Sequence, residues 1–194
     1  MLTWQAPDRR TLESARVIQG AGRSTGLRVQ GRSVRAAADA PVFTASYRLL
    51  VGESGALQRV SVTSASPERE RSLTLNRTED GYWLVDTGSG GSQAAFDGAV
   101  DVDLQYSPLF NTPPIRRLRL HREAGEHRLP VVFVALPTLE VSVVYQHYRT
   151  ISPLGDGDPR DRAVVGFGQD DYAAEITVDG DGFVLDYPGL ATRL

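Results

Sequence analysis

Two aspartates and two arginines near the middle of the chain are of types, and at a spacing, that could bind a ligand or catalyse a reaction. Asp101 and Asp103 alternate with apolar residues, so a strand would place both carboxylates on one face. Arg116 and Arg117 follow a turn stiffened by two prolines, and we expect them to fold back towards the carboxylates. The pattern leaves open a structural ion-pair network, a polar site for a ligand headgroup, and a catalytic carboxylate pair.

The catalytic alternative rests on the distance between the two aspartates. Neighbours on one face of a strand lie about 7 Å apart, which is a separation that glycoside hydrolysis uses. The corresponding hypothesis is a hydrolase that acts on a sugar or an ester, with Asp101 or Asp103 as the general base. The competing hypothesis is a binding protein without catalysis, in which the same side chains contact a headgroup.

Composition excludes several other chemistries. The 194-residue chain contains neither cysteine nor lysine, which rules out thiol catalysis, disulfides, cysteine-ligated metals, Schiff-base lysines and a P-loop lysine. The three histidines, His121, His127 and His147, have no metal-ligand spacing, so we expect no metal and no cofactor. A net charge of −3 gives no indication of a nucleic-acid partner or an anionic membrane.

The elements that must position these residues are mostly strands. Apolar and polar residues alternate in many short segments separated by Gly, Pro and Asp turns, which predicts a mainly β fold with a curved antiparallel sheet, either a barrel or a half-barrel. Two segments have weak helical character, Thr11 to Gln19 and Pro114 to Leu118. The predicted strands are 42–51, 57–62, 72–76, 82–85, 100–106, 118–121, 131–134, 139–150, 163–167, 173–178 and 183–187. Residues 88–92 are predicted to be a loop.

The chain is expected to form a single domain over residues 1–194, because no linker or internal repeat stands out. The longest apolar run, residues 129–137, is too short to span a bilayer. The first residues lack the basic and apolar regions of a signal peptide, so we expect a cytoplasmic protein. The sequence leaves the oligomeric state open.

Residues 98–118 carry an ordered set of motifs: a glycine, Asp-x-Asp-Leu, Ser-Pro, Asn-Thr, a proline and Ile-Arg-Arg-Leu. The positions are Gly98, Asp101, Asp103, Leu104, Ser107, Pro108, Asn111, Thr112, Pro114, Ile115, Arg116, Arg117 and Leu118. This order resembles the signature of a family of bacterial proteins named "putative glycolipid-binding". The resemblance extends along nearly the whole chain, through Trp4, Gly81, Trp83, Gln146, Tyr148, Asp179 and Asp186-Tyr187-Pro188-Gly189. Ala99 and Pro113 depart from it, since the family commonly has a cysteine and a leucine there.

The resemblance implies a curved antiparallel sheet similar to the half-barrels of bacterial lipoprotein carriers, with an apolar trough that holds a lipid or glycolipid. The ligand-binding residues would then be Asp101, Asp103, Asn111, Arg116, Arg117, Gln146 and Tyr148. The two arginines and Asn111 are expected to meet a sugar or phosphate headgroup, because the guanidinium group offers planar donors.

Overall fold

The computed structural model describes residues 1–20, 26–36, 41–155 and 161–194. Its strands are β1 (Leu2–Gln5), β2 (Thr11–Gln19), β3 (Leu27–Arg35), β4 (Phe43–Val51), β5 (Leu57–Ala65), β6 (Glu70–Arg77), β7 (Trp83–Asp86), β8 (Gly91–Ala94), β9 (Asp101–Leu104), β10 (Glu126–Val134), β11 (Val141–Ser152), β12 (Ala163–Gln169), β13 (Tyr172–Val178), β14 (Val184–Tyr187) and β15 (Ala191–Arg193). One short helix, α1 (Thr112–Arg117), and two 3₁₀ turns, Phe96–Gly98 and Pro108–Asn111, complete the described elements.

All of these strands belong to one 15-stranded sheet. Strands that follow one another in the chain are antiparallel neighbours from β1 to β8 and from β10 to β15, and β1 also pairs with β15. The sheet begins at β8 and ends at β9, which runs parallel to β10, so it does not close into a barrel. The predicted mainly β, curved antiparallel architecture is therefore confirmed, in its open form.

The structure corrects three local predictions. Gly91 and Ser92, at the end of the predicted 88–92 loop, begin strand β8. Thr11–Gln19 is strand β2 rather than a helix, because its alternate residues Thr11, Glu13 and Ala15 are buried on the inner face of the sheet. Residues 118–121 were expected to be a strand but form a turn after α1, where the backbone amide of Leu120 donates to the Ile115 carbonyl over 3.0 Å. Leu120 is fully buried there, which explains its apolar character without a strand.

Residues 99–120, here called the inner segment, comprise the edge strand β9 and the turn and helix after it, which pack inside the curved sheet. Phe110 packs edge-on against Tyr47 of β4, with ring centroids 5.2 Å apart, in the larger apolar core. Ile115 and Leu120 enter a second core formed with β11 to β14. The indole N–H of Trp83 donates to the Ala99 carbonyl over 2.9 Å and fixes the start of the segment to β7. The inner segment thus occupies part of the space inside the curved sheet.

Gly31 of β3 makes room for the ring of Tyr47, its partner on β4. A Cβ at Gly31 would lie 2.0 Å from the Tyr47 Cζ, and the ring is buried and held by its hydroxyl on Glu13. We expect Gly31→Ala to lower the free energy of unfolding by about 1–3 kcal/mol in chemical denaturation, as overpacking does. Gly91→Ala on β8 is the control, since its Cβ would come no closer than 3.8 Å to a neighbour. Equal stability losses in the two variants would contradict the close packing.

Candidate functional site

Four of the residues singled out in the sequence are joined by hydrogen bonds into what we call the polar chain. The Asn111 amide donates to the Tyr148 hydroxyl (2.9 Å), and that hydroxyl donates to Gln146 Oε1 (3.0 Å). Gln146 Nε2 in turn donates to Asp103 Oδ2 over 2.7 Å. Strand β11 places Gln146 and Tyr148 on one face because they are two residues apart. The polar chain therefore links β9, β11 and the 3₁₀ turn before α1.

Asp101 and Arg117 form an ion pair beside the polar chain. Arg117 Nη2 lies 2.5 Å from Asp101 Oδ2, and the Asp101 carboxylate is almost completely buried. Burial raises the pKa of Asp101, while the Arg117 guanidinium opposes that rise. The pair ties α1 to β9, so the prediction that an arginine folds back onto the carboxylates is confirmed for Arg117.

Arg116 does not join these groups. Its guanidinium donates to the backbone carbonyl of Asp181 and lies 5.4 Å from the centroid of the Phe183 ring. Consecutive residues of a helix point about 100° apart, so Arg116 and Arg117 cannot both face β9 from α1. The expectation that both arginines return to the aspartates is wrong for Arg116.

A cavity of about 560 Å³, here called the main pocket, opens beside the polar chain. Asp103 and Asn111 contribute polar groups to its wall. Five aromatic rings line it as well, from Tyr106, Phe133, Phe167, Tyr172 and Tyr187. The last three rings also pack against one another, with the Phe167 and Tyr187 centroids 5.8 Å apart. The main pocket thus combines an apolar aromatic wall with a few fixed polar groups.

Asp103 is the carboxylate of the polar chain, and it lines the main pocket without a cation beside it. It is half-buried, and among the described residues no arginine pairs with it. Burial raises its pKa to about 6, although hydrogen bonds from Gln146 and the Leu104 backbone favour the charged form. At neutral pH the group is mainly a carboxylate that can accept further hydrogen bonds.

The two aspartates do not share one cavity. Asp103 lines the main pocket, whereas Asp101 is buried against Arg117 and is not part of the pocket wall. The proposed Asp101/Asp103 catalytic pair is therefore not arranged around a common substrate position. In the part of the chain that the structure describes, no group of three His, Asp or Glu side chains is placed to hold a metal ion.

Glu13 is a buried acid that the sequence analysis did not single out. Its Oε1 accepts hydrogen bonds from the Tyr47 hydroxyl and from the Ser107 hydroxyl, the latter over 2.6 Å. Burial raises the pKa of Glu13 to about 7. The hydropathy of this segment gives no signal for it, because the apolar Leu12 is exposed whereas the acidic Glu13 is buried.

The model of the family described as "Putative glycolipid-binding" matches residues 1–193. The chain belongs to this family. The members' description supports a binding role, and the match covers the inner segment, the polar chain and Tyr187 of the main pocket. No curated protein matches the chain.

Two solved structures are similar in fold. A DUF1089 family protein from Pseudomonas aeruginosa has a TM-score of 0.74 and 27% identity, covering 98% of this chain and 95% of that one. A beta-barrel-like protein of DUF1849 from Brucella abortus has a TM-score of 0.55 and 9% identity, covering 99% and 92%, and it supports the fold alone. Within the described residues, no helix is long and apolar enough to cross a membrane.

Removing Arg117 would leave the Asp101 carboxylate buried without its cation. We expect Arg117→Ala to lower the free energy of unfolding by about 3 kcal/mol, the usual loss when one partner of a buried pair is removed. Arg119→Ala is the matched control, because Arg119 pairs with Glu123 on the surface, where such pairs contribute about 0.5 kcal/mol. Urea denaturation of both variants measures the difference. A loss below about 0.5 kcal/mol for Arg117→Ala would show that the pair does not hold α1 in place.

The raised pKa values of Glu13 and Asp103 make stability depend on pH. Their folded-state values of about 7 and about 6 lie above the ordinary 4.5 and 3.8. Between about pH 4 and 7 these groups bind more protons in the folded state, so their contribution to the free energy of unfolding falls as pH rises. We expect the free energy of unfolding of the double variant Glu13→Gln, Asp103→Asn, minus that of the native chain, to increase from pH 4.5 to pH 8. If this difference in free energy stays constant or decreases as the pH rises, the raised pKa values of the two buried acids are contradicted.

Proposed function

We propose that this protein binds the saccharide headgroup of a glycolipid in the main pocket, without catalysis. The observation that carries the proposal is the position of Asp103, which ends the polar chain in a pocket walled by aromatic rings. Sugar hydroxyls donate to a carboxylate in strong, charge-assisted hydrogen bonds, and the C–H faces of a sugar ring pack against aromatic side chains. A cavity of about 560 Å³ is of the size that small-molecule sites have.

In this proposal the polar chain holds the Asp103 carboxylate in place, through Gln146 directly and through Tyr148 and Asn111 behind it. The amide of Gln146 is itself fixed, since its Nε2 also reaches Gln169 Oε1 over 3.1 Å and its Oε1 accepts from Tyr148. A carboxylate held in one orientation binds with a smaller loss of side-chain entropy than a free one. Arg117 contributes only by fixing α1, and Arg116 has no contact with the proposed headgroup position.

The acyl chains have less room than the sequence suggested. The inner segment packs against the inner face of the sheet, so the expected apolar trough is reduced to the aromatic side of the main pocket. Each methylene buried there adds about 0.8 kcal/mol, and methylenes beyond the pocket add nothing. Affinity should therefore depend on the headgroup more than on the length of the acyl chain.

A hydrolase acting on a sugar or ester substrate is the second candidate function. Asp103 favours it, because a pocket carboxylate with a pKa of about 6 and no arginine partner suits general acid–base work near neutral pH. Asp101 cannot serve as its partner, since Arg117 holds it outside the pocket wall. Asp170 and Asp171 are the other carboxylates that line the main pocket.

Calorimetric titration with octyl glucoside, below its micelle concentration, tests the proposed function. Tetraethylene glycol monooctyl ether is the matched ligand, with the same alkyl chain and no sugar. We expect saturable binding of octyl glucoside at least tenfold tighter than that of the ether, and a loss of about tenfold in Asp103→Asn, which corresponds to about 1.4 kcal/mol. Asp97→Asn is the control variant, because Asp97 bonds Tyr145 outside the pocket.

Equal affinity for the two detergents, or no effect of Asp103→Asn, would contradict headgroup binding in this pocket. The same samples are assayed for released glucose. Release that depends on Asp103 would establish the hydrolase instead, whereas saturable binding without release supports the non-catalytic proposal.

A further inference from the structure

A second cavity lies next to the main pocket. It has a volume of about 400 Å³, and Trp4, Glu13 and Arg35 are among the residues of its wall. We call it the Glu13 cavity. Tyr106 and Leu190 belong to the walls of both cavities, so the two spaces meet at these side chains. A cavity of this volume is large enough to hold a small polar ligand group.

Two polar side chains in the wall of the Glu13 cavity, Glu13 and Arg35, each have a buried atom without a hydrogen-bond partner. Glu13 Oε2 and Arg35 Nε make no hydrogen bond to any of the described residues, although both atoms are shielded from solvent. Glu13 is only 2% exposed, and both of its hydrogen bonds, from Tyr47 and Ser107, go to Oε1. Buried polar groups in proteins are normally paired, so Glu13 and Arg35 are wall side chains whose hydrogen bonding the protein itself leaves incomplete.

The surroundings of Glu13 and Arg35 limit the chemistry of such a ligand. The Arg35 guanidinium stacks on the Tyr106 ring, with its central carbon 4.1 Å from the ring centroid. An anionic group would be repelled by Glu13, and a cationic group would be repelled by Arg35. A neutral hydroxyl group fits both, because it donates to a carboxylate and accepts from a guanidinium. The rings of Trp4 and Tyr106 supply apolar faces for the carbon skeleton.

We propose that the Glu13 cavity holds a second sugar unit, so that the ligands of this protein are glycolipids whose headgroup has at least two sugars. This inference rests on the proposed function, since the first sugar is the one placed beside Asp103. The glycosidic link would cross between the two cavities at Tyr106 and Leu190. Ser107 also connects the sites, because it lines the main pocket and its hydroxyl donates to Glu13.

Comparison of octyl maltoside with octyl glucoside tests the second sugar site, because the two detergents share an alkyl chain and differ by one glucose. In calorimetric titrations of the native chain we expect octyl maltoside to bind at least tenfold more tightly. We expect Glu13→Gln to reduce this ratio to about two or less, and Asp103→Asn to weaken the binding of both detergents. Asp97→Asn is the control and should retain the native ratio, because Asp97 lines neither cavity.

Arg35→Met provides an independent variant if Glu13→Gln unfolds, since it keeps the aliphatic bulk above Tyr106 and removes the guanidinium donors. It too should reduce the maltoside-to-glucoside ratio. Equal affinities for the two sugars in the native chain would overturn the second site while leaving the proposed function intact. A tenfold ratio that survives in both variants would also overturn it. Failure of both sugar detergents to bind more tightly than tetraethylene glycol monooctyl ether would overturn the second site and the proposed function together.

Discussion

A curved sheet with one apolar face must cover that face, and here the cover carries charged and polar side chains that need partners of their own. The inner segment brings Asp101, Asp103 and Asn111 inside the sheet. Polar groups are tolerated in such a place only when they are paired, because desolvation disfavours them strongly. The Asp101–Arg117 ion pair meets this need where the inner segment joins strand β9 to helix α1. The position of α1, and of the turn that precedes it, depends on this contact.

The candidate site follows from that arrangement. Once α1 is fixed against β9, Asn111 at the end of the preceding turn comes within hydrogen-bond distance of Tyr148 on β11. The resulting polar chain leaves Asp103 as its one carboxylate at a cavity wall, next to rings supplied by β10, β12, β13 and β14. In the proposed function, stability and binding thus use neighbouring residues of the same inner segment, with Asp101 in the first role and Asp103 in the second.

The sequence predicted what depends on local periodicity and missed what depends on long-range geometry. The period of two placed Asp101 and Asp103 on one face, and the prolines before Arg117 indicated the helical turn. The different direction of Arg116 follows from the pitch of α1, which a motif of adjacent arginines does not reveal. Glu13 comes close to Ser107 only because β2 and the inner segment meet inside the curved sheet, 94 residues apart in the chain. No local pattern carries that information.

A crystal structure of the protein with octyl glucoside would show whether the sugar lies beside Asp103. We expect a glucose ring in the main pocket, with a hydroxyl within about 3.2 Å of the Asp103 carboxylate and a ring face against one of the pocket's aromatic side chains. The inner segment should remain in place around the Asp101–Arg117 pair. An alkyl chain in the main pocket with its sugar in solvent, or a glucose bound elsewhere on the sheet, would contradict headgroup binding in the main pocket.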